Sequence, residues 1–438
     1  MPESFRKDDF QMAVIRPFRG LRYTKKAGDI ASLACPPYDI VSEKERLSLL
    51  EENPYNMIRL ELPEGDDPYA EAKAMLDRWA GDEILTHDED EGIYIYEEEF
   101  LTRIDHGETK KLRGFICRVR LEDFSSKVIL PHEETLSKAK EDRLKLMKST
   151  FCNFSQIYSL YKDEGRVTGQ RLDNLVSSAK PRYEFSDGLV THRMWVINDR
   201  LAIKAIADDF ADRKLYIADG HHRYETALSF RNYLRESGTY CPGAGYVMMM
   251  LVDMEHPGLE VFPTHRLIKG LENFDGERLI KDCGEYFYTE ERDDITEIEA
   301  QLTELYRDNK KAFGYYGGGD SWVLLTLKDE SIMDKVLPER SEAGRKLDVA
   351  ILHSLILEKL LGIDSENMAG GLNLSYTRSA AEALDSVRNG GSQCAFIINP
   401  TKVSEIGAVA DAGEKMPQKS TYFYPKIKTG LVMNDLRV

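Results

Sequence analysis

The spacing of apolar residues changes repeatedly along the chain, from alternation or short all-apolar runs to apolar positions three and four apart. Strand-like segments therefore interleave with helical ones, and the pattern predicts a mixed α and β protein without internal repeats. The first 85 residues hold turn-rich text, CPPYD, NPYN and LPEGDDP, with a helix expected over residues 70–79. GIYIYEEEF and KLRGFICRVRL, joined by DHGETK, predict an antiparallel hairpin. A helix should follow LPHEET, where Glu134 with Lys138 and Glu141 with Lys145 form acid-to-base pairs four residues apart. It should stop before a strand in SQIYSLY. A second hairpin is expected about Ser186, Asp187 and Gly188, ending in HRMWVI, after which Asn198 or Asp199 can cap a helix through Ile206.

The next stretch is the most informative. KLYIA is a short apolar strand, DGHHR a turn, and YETALSFRNYL carries Tyr224, Ala227, Leu228 and Leu234 at helical spacing. Residues 246–252 are apolar throughout; the run is too short to span a bilayer and reads as a buried strand. Farther on, Gly317, Gly318 and Gly319 predict a hairpin turn, and residues 348–361 a long helix. Three regions follow from this pass: an N-terminal α/β region with the first hairpin over 1–125, a central core over 126–270, and a C-terminal α/β region over 271–438.

Charge and cysteine usage narrow the function classes. Among 438 residues, 59 Lys and Arg stand against 76 Asp and Glu, a net −17. That balance argues against broad adhesion to nucleic acid or anionic membrane, so an anionic ligand must be captured locally. Six cysteines are widely spaced, with no C-x-x-C and no Cys/His cluster, which fits a reducing compartment. The N-terminal text has mixed charges in place of a secretory signal, and no stretch approaches the ~20 apolar residues of a membrane-spanning helix. The expectation is a cytoplasmic protein with small-molecule partners, no nucleic acid and no membrane, and room for a homo-oligomer.

A strand running through Asp219 and Gly220 into a helix sets the N–H groups of the first helical turn where an anion is favoured. His221, His222 and Arg223 occupy that turn; cations there oppose the helix dipole unless a bound anion reverses the sign. Gly220 would allow close backbone approach. Asp219 as a plain helix cap, with ordinary partners for both histidines, is the competing reading.

ADGHHRYETAL resembles the signature of the ParB/sulfiredoxin-like superfamily, in which a strand leads into a G-[HE]-[HR]-R-x-x-A turn and helix. Here Ala227 falls one position later than the commonest spacing. The resemblance implies an α+β fold, with mixed sheets, a nucleotide-binding core of that type and additional α/β segments. It also implies nucleotide phosphates at Asp219, Gly220, Arg223, Tyr224 and Thr226, with ATP or ADP and Mg2+ as cofactors. Members of the superfamily include CTP-binding partition proteins, sulfiredoxins and free-serine kinases. Over its whole length, through PFRGLRY, CPPYDI, NPYNMIRLELP, PHEET, FPTHR and MPQKSTYFYPK, the chain resembles the domain-of-unknown-function 1015 family of bacterial and archaeal proteins.

Other segments offer chemistry of their own. His132 and Glu133 are an acid–base pair ahead of a helix, with Thr135 and Lys138 in reach of a phosphate. His265 and Arg266 stand at an expected strand end, and Lys415, Lys419 and Ser420 precede the aromatic run Tyr422, Phe423, Tyr424. The leading expectation is a nucleotide-dependent phosphotransferase acting on a small polar metabolite such as free serine. In it His132, Glu133, His221 and His222 are catalytic, and His265, Arg266, Lys415, Lys419 and Ser420 bind substrate or stabilise charge. The alternatives are a phosphatase or metal-assisted hydrolase using His132, Glu133, Asp219, His221 and His222, and a non-catalytic nucleotide sensor.

Overall fold

The computed structural model describes residues 12–102, 107–133 and 137–438, apart from the side chains of residues 137–139 and 369. It divides into two compact units, one drawn from residues 1–131, 135–259 and 425–438, the other from residues 132–134 and 260–424. Mixed and antiparallel sheets with helices make the chain α+β.

The first unit is built on nine strands: β1 (Ile15–Arg16), β2 (Ile93–Leu101), β3 (Thr109–Arg120), β4 (Ile129–Leu130), β5 (Ile157–Tyr161), β6 (Tyr183–Ser186), β7 (Val190–Ile197), β8 (Leu215–Asp219) and β9 (Tyr246–Asp253). Their order is β4-β8-β5-β9-β3-β2-β7-β6, with β1 paired to β3. Both expected hairpins are present, Tyr94 opposite Ile116 in the first and His192 opposite Phe185 in the second. Residues 103–106, in the first connection, lie outside the described residues. β4 runs parallel to β8 and β5 to β9, which makes the sheet mixed.

Strand alternation sorts this sheet into two faces. Ile93, Ile95, Phe115, Cys117, Ile217, Met249 and Leu251 enter a core with Ile203 and Ile206 of one helix and Tyr224 and Ala227 of another. Each buried Ile, Leu, Met or Phe among them stabilises the fold by ~1.5–3 kcal/mol relative to exposure. The alternate positions, Tyr94, Tyr96, Glu98, Tyr158, Met248 and Met250, therefore occupy the other face, and this is where the polar groups collect.

Helix α1 (Pro68–Gly81) starts where expected, because Asp67 accepts from Ala70 N–H and Pro68 tolerates the first turn. In α2 (Ser137–Thr150) the Glu141–Lys145 pair forms at 3.0 Å; the Glu134–Lys138 pair lies outside the described residues. Asp199, not Asn198, caps α3 (Arg200–Asp208), its Oδ1 accepting from Leu201 N–H and Ala202 N–H. The signature helix is α4 (His221–Ser237).

The second unit is built on a sheet of six antiparallel strands: β10 (His265–Ile268), β11 (Phe287–Arg292), β12 (Ala312–Tyr316), β13 (Trp322–Leu327), β14 (Leu374–Thr377) and β15 (Cys394–Ile397), in the order β11-β13-β12-β15-β10-β14. The triple glycine joins β12 to β13 as expected, with Gly318 and Gly319 at φ 109° and 79°, values that suit glycine. The long helix expected over 348–361 differs: an α-turn at Asp348–Ile351 gives way to a π-helix at Leu352–Glu358. A run with Leu352, His353, Leu355, Ile356 and Leu357 all buried has no polar stripe to distinguish a 3.6-residue turn from a wider one.

Candidate functional site

In the first unit the signature turn is made by three local features. The β8–β5 register shifts between Ile217 and Asp219, setting Asp219 opposite Tyr158 on the polar face. Gly220 then takes φ 91° and ψ 28°, and α4 begins with no side-chain cap and no acidic residue in its first turn. A Cβ on Gly220 would lie 2.9 Å from Arg223 Nε, so the missing side chain leaves room for that guanidinium to fold back under the turn.

Asp219 organises the cations around it. Its Oδ1 accepts from Gly220 N–H at 2.9 Å, and its Oδ2 lies 2.9 Å from Lys426 Nζ and 3.7 Å from Arg223 Nη2. Arg223 Nη1 also donates to the Gln156 carbonyl. Burial would raise the Asp219 carboxyl, but the charges of Lys426 and Arg223 hold it well below the usual carboxylate range. Burial lowers Arg223 in turn, and Asp219 together with Asp39, Tyr38 and Glu61 more than restores it. His221 is buried in the first turn and His222 half-buried beside it.

Behind Arg223 lies a cavity of about 40 Å³, lined among others by Glu61, Arg143, Ser155, Arg223 and Thr226. Glu61 is buried, 3.2 Å from Arg143 Nη1 through Oε2, and burial pushes its carboxyl up. Arg143 lies 4.2 Å from the centre of the Tyr38 ring, whose phenol burial pushes up to about 12. Among the described residues, Thr226 Oγ1 is buried without a hydrogen-bond partner. Tyr224 is fully buried; its hydroxyl donates to the Glu122 carbonyl at 2.7 Å and accepts from Glu122 N–H at 3.0 Å, which fixes α4 against the sheet.

A second network on the same sheet face has no counterpart in the sequence reading. Tyr96 Oη lies 2.7 Å from His192 Nδ1 and donates to Glu98 Oε1 at 3.1 Å. His192 Nε2 is 3.3 Å from Asp187 Oδ2, which Lys428 Nζ approaches at 2.9 Å. Burial lowers the imidazole, but Asp187 and Glu98 raise it on balance. Lys426 and Lys428, two apart in the returning segment 425–438, thus hold Asp219 and Asp187 respectively.

The second unit holds seven of the expected residues. His132 Nε2 is 3.1 Å from Thr421 Oγ1, and Glu133 Oε1 accepts from Lys419 N–H at 3.1 Å. Arg266 donates to the Thr264 carbonyl, to the Lys419 carbonyl at 3.2 Å and to His353 Nε2 at 3.3 Å. Ser420 Oγ donates to the Pro417 carbonyl and so shapes the turn. His265 Nδ1 accepts from Ile398 N–H at 3.2 Å; burial pushes it down to about 4, so the charge of the His265–Arg266 pair belongs to Arg266. Lys415 enters through its carbonyl, which accepts from Arg340 Nη1 at 2.8 Å. Thr135 and the Lys138 side chain lie outside the described residues. Among the described residues no group of three or more His, Cys, Asp or Glu could hold a metal ion, and no helix is long and apolar enough to cross a membrane.

A family model described as "Protein of unknown function (DUF1015)" matches residues 15–350. Among solved structures, the chain is similar to a free serine kinase variant in complex with ADP, at 14% identity over 71% of this chain and 89% of that one, TM-score 0.36. It is similar to SbnI with C-terminal truncation from Staphylococcus aureus, at 12% identity over 73% and 87%, TM-score 0.37. A conserved hypothetical protein from Pyrococcus furiosus shares 15% identity over 69% and 92%, TM-score 0.33. Likeness at these values transfers neither a ligand nor a reaction. No curated protein matches the chain.

Proposed function

We propose, from the premise that the chain belongs to the family described as Protein of unknown function (DUF1015), that its first unit binds a nucleotide by the phosphates at the turn from Asp219 to Arg223. On this reading the protein is a nucleotide-dependent phosphotransferase acting on a small polar metabolite. The observation that carries it is the charge arrangement at Gly220: Arg223 and Lys426 converge on the one carboxylate of Asp219, beside a helix start with no side-chain cap. Arg223 and Lys426 beside the N–H groups of a helix N-terminus suit a further negative group, even with Asp39 and Glu61 also acting on Arg223. ATP or ADP would supply that group; a nucleotide-borne Mg2+ would reach Asp219 only by displacing Lys426 or the Gly220 N–H from its carboxylate.

Phosphoryl transfer asks mainly for positioning and charge neutralisation, which Gly220, Arg223 and Lys426 supply in this reading. His221 and His222 are proton-handling groups of the same turn. Free serine is the acceptor to try first, since the ParB/sulfiredoxin-like resemblance includes free-serine kinases. Thermal-shift measurements with ATP, ADP, CTP and phosphoserine should show a nucleotide that stabilises the wild type and leaves Arg223→Ala unmoved. Phosphorus NMR with serine should then show a phosphorylated product. Stabilisation without turnover would reduce the protein to a nucleotide sensor, and no difference between the two proteins would remove the phosphate site.

A further inference from the structure

Arg266 presents a charge problem inside the second unit. The residue is fully buried, and among the described residues no carboxylate forms an ion pair with it. Its hydrogen bonds go to two carbonyls and a neutral imidazole. They use three of the five N–H donors of a guanidinium and leave one on each terminal nitrogen. Burial pushes its pKa down to about 10, so the group is still a cation near neutral pH. A buried charge without a counter-charge is among the more expensive arrangements a protein can hold.

The surroundings of Arg266 are unusual in three further ways. His353 is presented from the π-helix, a helix form concentrated at functional sites. Lys419 has φ 57°, uncommon for a residue with a side chain, and in that conformation its N–H meets Glu133 while its carbonyl meets Arg266. Tyr376, opposite Arg266 in the β10–β14 pair, sets its ring 5.5 Å from the guanidinium carbon. Lys419 is exposed, and Tyr376 and Glu133 are half-buried, so the residues around the buried guanidinium reach the surface.

We propose that Arg266 is the recognition group of an anion site in the second unit, which takes a small carboxylate in place of the Lys419 carbonyl. With the Lys419 carbonyl displaced, both donors of one terminal nitrogen and the spare donor of the other are open, enough to meet the two oxygens of a carboxylate. Glu133, held on the same turn, disfavours a phosphate dianion more than a monoanion. The site does not depend on the phosphate reading of the first unit. Thermal shift on the full chain, with sodium acetate, inorganic phosphate and sodium chloride at matched ionic strength, tests it. Acetate should raise the melting temperature of the wild type and of Arg223→Ala saturably and beyond chloride. Arg266→Met should lose that shift, and Arg266→Lys, which keeps the charge without the planar fork, should need at least about tenfold more acetate. If Arg266→Met does not fold, the lysine variant alone decides. Acetate acting no better than chloride on the wild type, or equally on the Arg266 variants, would overturn the site; a larger Arg266-dependent shift with phosphate would overturn its carboxylate class.

Discussion

Gly220 is the position where one added carbon matters most. Its φ of 91° is costly for any other residue, and the added atom would press on Arg223. Gly220→Ala should lower unfolding free energy by about 1–3 kcal/mol in a denaturant titration, and an unchanged midpoint would contradict the folded-back Arg223. Asp219 gives a pH signature. A carboxyl held below its unfolded value adds stability above the unfolded pKa, near 3.9, and that stability is lost as pH falls through the lower folded value. The melting temperature of Asp219→Asn should therefore depend less on pH below about pH 4 than that of the wild type. Superposed acid limbs would show that Lys426 and Arg223 do not stabilise this carboxylate.

The strand, turn and helix around Gly220 are readable in the sequence because every signal is local: an apolar run, a glycine, then helical spacing. The partners of the turn are not. Gln156 and Lys426 arrive from 67 and 207 residues away; Lys426 closes the segment MPQKSTYFYPK, but nothing in that segment or in NFSQ pairs either residue with the turn. Glu98 reads as one acid in a row of three, yet alternation turns it inward, opposite His192, where it is completely buried. His192 gives this network its own test. An imidazole raised above its unfolded value adds stability that is full below the unfolded pKa, near 6.5, and lost as pH rises through the folded value. His192→Gln should flatten the stability profile above about pH 6.5, and an unchanged alkaline slope would mean that Asp187 and Glu98 leave the imidazole unperturbed.

On the scale of the whole molecule, a net charge of −17 leaves the capture of an anionic ligand to local groups. The first unit concentrates them at Arg223 and Lys426, the second at Arg266. The return of residues 425–438 to the first unit supplies Lys426, and that return is not legible in the sequence, whereas the second-unit residues His132, Glu133, Arg266 and Lys419 could be picked by residue type alone. The most direct measurement is a calorimetric titration of ADP into the wild type, Arg223→Ala and Arg266→Met. The account predicts one site on the wild type, weakened about tenfold or more by Arg223→Ala and left alone by Arg266→Met. Equal affinity for the wild type and Arg223→Ala, or no binding of ADP to the wild type, would contradict it.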